Sequence, residues 1–113
     1  MNEVKPLIKF EDFEKVDMRI GTVLSVEEIE GSDKLLKLDV DFGEIGKRQI
    51  LSGIKEWYKK DDLVGKQLAF VINIEPRKMM GFESQGMIMA VDSSSKPLLL
   101  KIEENTKDGS EIK

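Results

Sequence analysis

The chain has 113 residues, of which 35% are charged, and its formal net charge at pH 7 is −4. It contains neither cysteine nor histidine, so disulfides, thiolate chemistry and the most common general base and metal ligand are all excluded. A metal site would need carboxylates alone, and we expect no cofactor, while the acidic total excludes a uniformly basic nucleic-acid binder.

The N-terminal part of the chain indicates a cytoplasmic protein with one short helical turn. MNEVKPLIKFEDF lacks the basic start and apolar core of a signal peptide, and no apolar run approaches membrane-spanning length. The length suits a single domain over residues 1–113. Between Phe10 and Val16, apolar residues recur at helical spacing beside Asp and Glu, which favours a helical turn.

Alternation of apolar and polar residues predicts three consecutive strands. The even positions of 17–27 are mainly apolar, with a bend or bulge at Gly21. Residues 36–42 alternate strictly, and Gly43-Glu-Ile-Gly46 closes a hairpin into residues 48–52. We expect these strands to be antiparallel.

The second half of the chain completes an expected small barrel. Residues 54–63 fit short helical or turn structure, residues 66–74 and 85–91 the fourth and fifth strands, and residues 98–102 a further strand. This order predicts an all-β class: an OB-fold five-stranded barrel with a short helical insert and a C-terminal strand extension. We place the barrel at about residues 14–92 and the extension at about 93–113.

The stretch Asn73–Met89 carries the chemistry expected of a binding loop. Pro76 ends the preceding strand, so Arg77 and Lys78 are free to face outward. Two glycines then bracket Ser84 and Gln85, which supply a hydroxyl and an amide. Anion contact with neutral hydrogen bonding suits a phosphate-rich partner better than a reaction.

Charge along the chain is uneven and points to one basic surface. Residues 34–78 hold ten Lys or Arg against seven Asp or Glu, a net of +3, which leaves −7 for the rest. The barrel would bring together the outward strand residues Lys37, Asp39 and Asp41 with loops at Lys34, Lys47–Arg48 and Arg77–Lys78. OB barrels bind nucleic acid or oligosaccharide on such a sheet face and its flanking loops.

Three motifs, DKLLKLDVDFGE (33–44), KRQILSGI (47–54) and NIEPRKMMGFESQGM (73–87), resemble the tRNA-binding domain family. That family occurs at the C-terminus of methionyl-tRNA synthetase, as free-standing structure-specific tRNA-binding proteins, and in the cytokine-precursor protein of animal synthetase complexes. The resemblance implies an OB fold, tRNA as partner bound at its outer corner by shape, and a homodimer in free-standing members. It also implies a non-catalytic β subunit or C-terminal domain of a methionyl-tRNA synthetase, whose catalytic chain is a further implied partner.

The resemblance also implies which residues contact tRNA. Matched motif by motif, these are Lys34, Arg48, Ser52, Asn73, Arg77, Lys78, Ser84 and Met87. Met80 departs from the more polar residue expected before the glycine, which leaves the detailed contacts of this loop open.

Plainer interpretations stand beside these expectations. Ser84 and Asn73 could serve only as turn and cap residues, and Trp57 and Tyr58 fit core or interface packing better than base stacking. Asp39 and Asp41 fit a solubilising face better than a catalytic pair. The runner-up function is a peptide-binding, export-related chaperone like the dimeric OB protein CsaA, and a third is a pure assembly module.

The apolar C-terminal run suggests a homodimer. Leu98–Leu100 with Ile102 is more hydrophobic than a solvated tail requires and needs a covering. Folding back on its own barrel would supply one. The family resemblance favours instead a two-fold interface formed chiefly by residues 96–113 together with the turn around Phe10 and Phe13.

Overall fold

Short strands dominate the fold of residues 3–113, the part that this computed structural model describes. In chain order the elements are α1 (Phe10–Phe13), β1 (Met18–Glu28), β2 (Leu36–Asp41), a 3-10 turn (Gly43–Ile45), β3 (Lys47–Ser52), α2 (Lys60–Leu63), β4 (Gln67–Val71), β5 (Arg77–Met79), β6 (Phe82–Ser84), β7 (Met87–Ile88), β8 (Ala90–Asp92), β9 (Pro97–Leu99) and β10 (Glu111–Ile112). Within those residues, no helix is long and apolar enough to cross a membrane.

The main sheet is antiparallel and follows the order β3-β2-β1-β4-β7, with β10 pairing to β1. Its central strand β1 has 11 residues and pairs with β4 along its first half and with β2 along its second. This division of partners curls the sheet into a half-barrel. The expected all-β class and OB-like architecture are thereby confirmed, as are the helical turn at the N-terminus and the helical insert before β4.

The core lies inside this curled sheet and follows the alternation of the sequence. Leu36, Leu38 and Val40 of β2 are buried while the residues between them are partly exposed. Phe42 and Phe70 are fully buried and meet edge to face with ring centroids 5.3 Å apart, a geometry that the ring quadrupoles favour. Period-two burial is what fixes the register of these strands.

The second half of the chain differs from the strands expected there. β4 ends at Val71 rather than near residue 74, because the chain leaves the sheet for the β5–β6 hairpin. The strand expected over 85–91 is wrong as a single element: β7 pairs with β4, and β8 then turns away to pair with β9. The run of mostly apolar residues over 87–91 gives no sign that the chain changes its partner strand there.

The C-terminal segment is docked onto the barrel instead of forming a free tail. β10 pairs with β1 at Met18 and Arg19. Asp108 accepts hydrogen bonds from Thr22 Oγ1 at 2.6 Å and from Gln67 Nε2 at 2.9 Å. Arg19 donates to the Gly109 carbonyl at 3.1 Å, and its hydrogen bond to Asp17 raises the pKa of its guanidinium.

Gly21 has a different role from the expected bulge. The irregularity in the β1–β2 pairing lies between Val23 and Ser25. Gly21 is buried, and a β-carbon at this position would lie 2.6 Å from side-chain atoms of both Phe42 and Val40. The glycine therefore allows the core side chains of β2 to pack directly against β1.

Gly21→Ala is expected to lower the free energy of unfolding by about 1–3 kcal/mol, because the added methyl overpacks a filled core. Urea denaturation measures the change. Gly53→Ala is the matched control, since a β-carbon at Gly53 meets nothing within 4 Å. Equal stability of the two variants would contradict the packing role of Gly21.

Candidate nucleic-acid interface

The stretch expected to be a binding loop is a β-hairpin. β5 and β6 pair through Arg77 with Ser84, Lys78 with Glu83 and Met79 with Phe82. Met80 and Gly81 form the turn with φ of 52° and 82°, the positive values that a two-residue type I′ turn requires. Asn is the residue favoured before the glycine of such a turn, which gives a physical reason for expecting a polar residue where Met80 stands.

Side chains hold this hairpin along the free edge of β3. The backbone N–H of Gln49 donates to the side-chain Oε1 of Gln85 at 2.9 Å. The backbone N–H of Gln85 donates to the backbone carbonyl of Gln49 at 2.8 Å. Leu51 N–H donates to Ser84 Oγ at 3.0 Å, and that hydroxyl donates in turn to the Gly86 carbonyl at 3.0 Å. The edge of β3 is thus closed by side-chain hydrogen bonds and one backbone hydrogen bond in place of another strand.

The base of the hairpin is fixed to the end of β4. Arg48 donates to the carbonyls of Ile72 and Gln85, the latter at 3.3 Å. Gly86 is buried there, and a β-carbon on it would lie 2.9 Å from the Val71 carbonyl oxygen. Arg48 therefore holds two backbone segments together through these carbonyls, and the residue is only partly exposed.

The tip of the hairpin reaches the turn between β1 and β2. If Gly31 carried a β-carbon, the side-chain methyl of Met80 would lie 3.5 Å from it. Farther along β2, the Lys37 ammonium lies 4.6 Å from the centroid of the Phe82 ring, a cation–π distance. Lys34 belongs to the same turn as Gly31, so the structure brings its exposed side chain to the side of the barrel on which the hairpin lies.

Arg77 and Lys78 are both exposed but point to opposite faces of the hairpin, because they are neighbours in a strand. Arg77 shares the face of Ser84, and Lys78 that of Glu83. Neither cation has an acidic partner within 4.0 Å among residues 3–113. Next to the hairpin, an open groove of about 230 Å³ is lined by Ser25, Glu27, Lys37, Leu38, Asp39 and Gln49.

The eight residues expected to contact tRNA fall into two groups. Lys34, Arg77, Lys78 and Met87 are exposed. Arg48, Ser52, Asn73 and Ser84 are instead buried, or hold backbone in place. Ser52 is buried at the end of β3, and the exposed Asn73 accepts from Asp17 N–H at 2.7 Å and donates to the Lys15 carbonyl at 2.5 Å. The first group exposes side chains to a ligand, whereas Arg48, Asn73 and Ser84 of the second hydrogen-bond backbone groups.

Gln49 holds the candidate site in place, and sequence reasoning missed it. Its backbone makes two hydrogen bonds to Gln85, directly after the hairpin. Its side chain makes a third by donating to the Glu83 carbonyl at 2.9 Å. The only hint of this role in the sequence is that Gln49 is a neutral polar residue facing out of a predicted strand. The contact between Lys37 and Phe82 joins residues 45 positions apart and left no local signal at all.

Comparison with known proteins gives consistent matches. The family described as "Putative tRNA binding domain" matches residues 18–111. Methionine–tRNA ligase of Methanothrix thermoacetophila is 49% identical over 109 residues, which cover 96% of this chain. This chain spans 16% of the length of that enzyme.

Two solved structures have the same fold over nearly the whole chain. A MetRS-related protein from Pyrococcus horikoshii has a TM-score of 0.89 at 35% identity, covering 96% of this chain and 99% of that one. The chaperone CsaA of Bacillus anthracis has a TM-score of 0.87 at 34% identity, covering 96% and 100%. The architecture is therefore shared by a MetRS-related protein and a chaperone.

Ser84→Ala is expected to destabilise the protein by about 1–3 kcal/mol, since it leaves the buried Leu51 N–H and the Gly86 carbonyl without their hydroxyl partner. Thermal unfolding followed by circular dichroism measures this loss. Ser94 is exposed, so Ser94→Ala is the control and should change the melting temperature little. A Ser84 variant as stable as the control would refute the positioning role.

Proposed function

This chain belongs to the putative tRNA binding domain family, and from that premise we propose that it binds folded tRNA through its β5–β6 hairpin and the β1–β2 turn. The resemblance noted in the sequence is confirmed by the family match. The observation that carries the proposal is the placement of Arg77 and Lys78, exposed and without ion-pair partners in the described chain, on a hairpin fixed to β3 by Ser84 and Gln85.

The proposed contacts are to phosphates and 2′-hydroxyls. Lysine and arginine side chains on a rigid hairpin meet the RNA backbone, which carries the charge but little of the sequence. Folded RNA is recognised by its shape because side chains cannot read the deep, narrow major groove of its helices. Arg48, Asn73 and Ser84 contribute by holding the backbone, and Met87 adds apolar contact at the rim of the surface.

The proposed role is non-catalytic. The chain matches about a sixth of the length of relatives named methionine–tRNA ligase, and we propose that it supplies tRNA binding to such a synthetase in the cytoplasm. Its candidate surface offers cations, amides and a methionine. We assign no step of aminoacylation to this chain.

Peptide binding is the second candidate function. Its support is the similarity to two solved CsaA chaperones, of Bacillus anthracis and Picrophilus torridus, the latter with a TM-score of 0.87 at 28% identity. The groove under the hairpin is lined by charged and amide side chains. Such a lining favours a polar partner over an apolar peptide segment.

We also propose a homodimer. The N-terminal segment exposes Leu7 at 97% and Phe10 at 71% of their full area. Beside it, open cavities of about 320 Å³ and 410 Å³ meet at Ile112, and the larger is lined by Leu100 and Ile102 of the C-terminal run. Exposed apolar surface next to cavities that are apolar in part favours a contact between two copies.

The chain is expected to bind folded tRNA more tightly than an unstructured RNA of equal length or an unfolded peptide. Gel shifts and fluorescence anisotropy measure the three affinities. Affinity for tRNA should fall roughly tenfold or more between low and physiological salt, because phosphate contacts release counterions. Equal binding of the two RNAs would refute shape recognition, and preference for the peptide would favour the chaperone function.

Arg77→Ala with Lys78→Ala is expected to weaken tRNA binding by about thirtyfold, if each lost phosphate contact removes about 1 kcal/mol. The melting temperature should stay unchanged, because both side chains are exposed. Lys15→Ala with Lys107→Ala is the matched control: it makes the same change in net charge at two exposed ion pairs away from the hairpin. Equal affinity of the two double variants would eliminate the hairpin as the site.

Light scattering should show a dimer for the full chain, and a monomer for Leu7→Ser with Phe10→Ser. These exposed side chains contribute little to the protomer, so its melting should change only through loss of the partner. Val91→Ser, at a residue 48% exposed on β8, is the control and should remain dimeric. A full-length chain that is monomeric at tens of micromolar would contradict the proposal. Truncation of the C-terminal segment is a poorer test, because it removes β10 from the barrel.

A further inference from the structure

A second groove lies on the barrel between the β3–β4 connection and β9, away from the residues assigned to tRNA so far. Its volume is about 470 Å³, within the roughly 300–1,000 Å³ typical of pockets for small organic ligands. Its lining includes Trp57, Tyr58, Lys66, Lys96, Leu98 and Lys101. We refer to it as the tryptophan groove.

Its two aromatic residues have different roles. The Tyr58 hydroxyl donates to the Pro97 carbonyl at 2.8 Å, and its ring packs against the core beneath the Lys96 ammonium, 5.1 Å from the ring centroid. Tyr58 is thereby a fixed wall that joins the connection to β9. Trp57 remains 38% exposed. A partly exposed tryptophan therefore lines the groove beside a rigid support.

The groove is lined by positive charge on an acidic protein. Lys66, Lys96 and Lys101 contribute three cations, and none of them has an acidic side chain within 4.0 Å in the part of the chain that the structure describes. Asp61 and Asp62 also line the groove, so its lining carries a net charge of +1, and Asp62 accepts the Lys59 N–H at 2.8 Å. The lining thus combines three cations with an aromatic face, the pairing that single-stranded nucleic-acid sites use.

The segment that carries Trp57 is linked through Lys55 to the β1–β2 turn proposed for tRNA. Lys55, two residues before Trp57, donates from its ammonium to the Ser32 carbonyl at 3.0 Å and pairs with Glu28 at 3.4 Å. Its backbone N–H donates to the Lys34 carbonyl at 3.1 Å. The segment that carries Trp57 is therefore tied to the same β1–β2 turn that the hairpin tip approaches.

We propose that the tryptophan groove binds an unpaired nucleotide of the RNA held by the hairpin. The base stacks on Trp57, and the flanking phosphates lie against Lys66 and Lys101. Stacking of this kind accepts any base, because every base presents a π face. This inference rests on the proposed tRNA binding and extends it from one folded surface to an additional single-stranded contact.

Trp57 is the only tryptophan of the chain, so its fluorescence reports on the groove directly. Saturation with folded tRNA, followed independently by anisotropy of a label on the RNA, should quench Trp57 emission. A four-nucleotide adenylate RNA should quench it as well, at higher concentration. Saturable tRNA binding with unchanged Trp57 emission would overturn the inference and leave the proposed function standing. Quenching by the short RNA without binding of folded tRNA would support the groove and refute the proposed function.

Substitutions separate stacking from packing. Trp57→Ala is expected to weaken tRNA binding on the order of tenfold, and Trp57→Phe should restore most of it, because phenylalanine also offers a face for stacking. Lys66→Ala with Lys101→Ala should make the slope of log affinity against log salt shallower by about 1.4, as expected for two lost phosphate contacts on a single strand.

Lys59→Ala with Lys60→Ala is the control, since it removes two exposed lysines from the same connection outside the groove lining. It should leave the salt slope close to that of the unmodified chain. Equal slopes for the two double variants would overturn the inference, as would a Trp57→Ala variant that binds tRNA with full affinity and is normally folded by circular dichroism.

Discussion

The free edge of β3 is the constraint on which the rest of the structure depends. An edge strand presents unpaired N–H and C=O groups that must be satisfied or covered. Here Gln85 and Ser84 satisfy the N–H groups of Gln49 and Leu51 from their side chains. This closes the curled sheet on one side, and it places the β5–β6 hairpin over β2 and β3 as a consequence of folding.

The same closure explains how an acidic chain can present a cationic surface. The net charge is −4, and Glu27, Asp39 and Glu83 all lie near the hairpin. The local field is set by which cations remain unneutralised. Lys37 pairs with Glu27 at 3.4 Å and lies over the Phe82 ring, whereas Arg77 and Lys78 are exposed and have no acidic side chain within 4.0 Å among residues 3–113. Position on the hairpin therefore matters more than the overall balance of charge.

The sequence predicted the first half of the fold better than the second. Strict alternation in β2 and mixed alternation in β1 expose one face and bury the other, so periodicity alone locates them. The apolar residues 85–91 gave no such guidance, because β7 and β8 pair with different strands. The hairpin was missed because Met80 occupies a turn position that usually carries Asn or Asp, so its only sequence signal was Gly81. Motif resemblance named the candidate site residues, but only coordinates separate Ser84 and Arg48, which bind backbone, from the exposed Arg77 and Lys78.

The most direct test of the central claim is hydrogen–deuterium exchange of the backbone amides with and without bound tRNA. If the closed β3 edge presents the hairpin as the binding surface, bound tRNA should slow exchange in residues 77–85 and in the β1–β2 turn at residues 29–35. The amides of Gln49 and Leu51 should already be slow in the free protein, because their hydrogen bonds form on folding. Bound tRNA that protects neither the hairpin nor this turn, or rapid exchange of Gln49 and Leu51 in the free protein, would contradict the account.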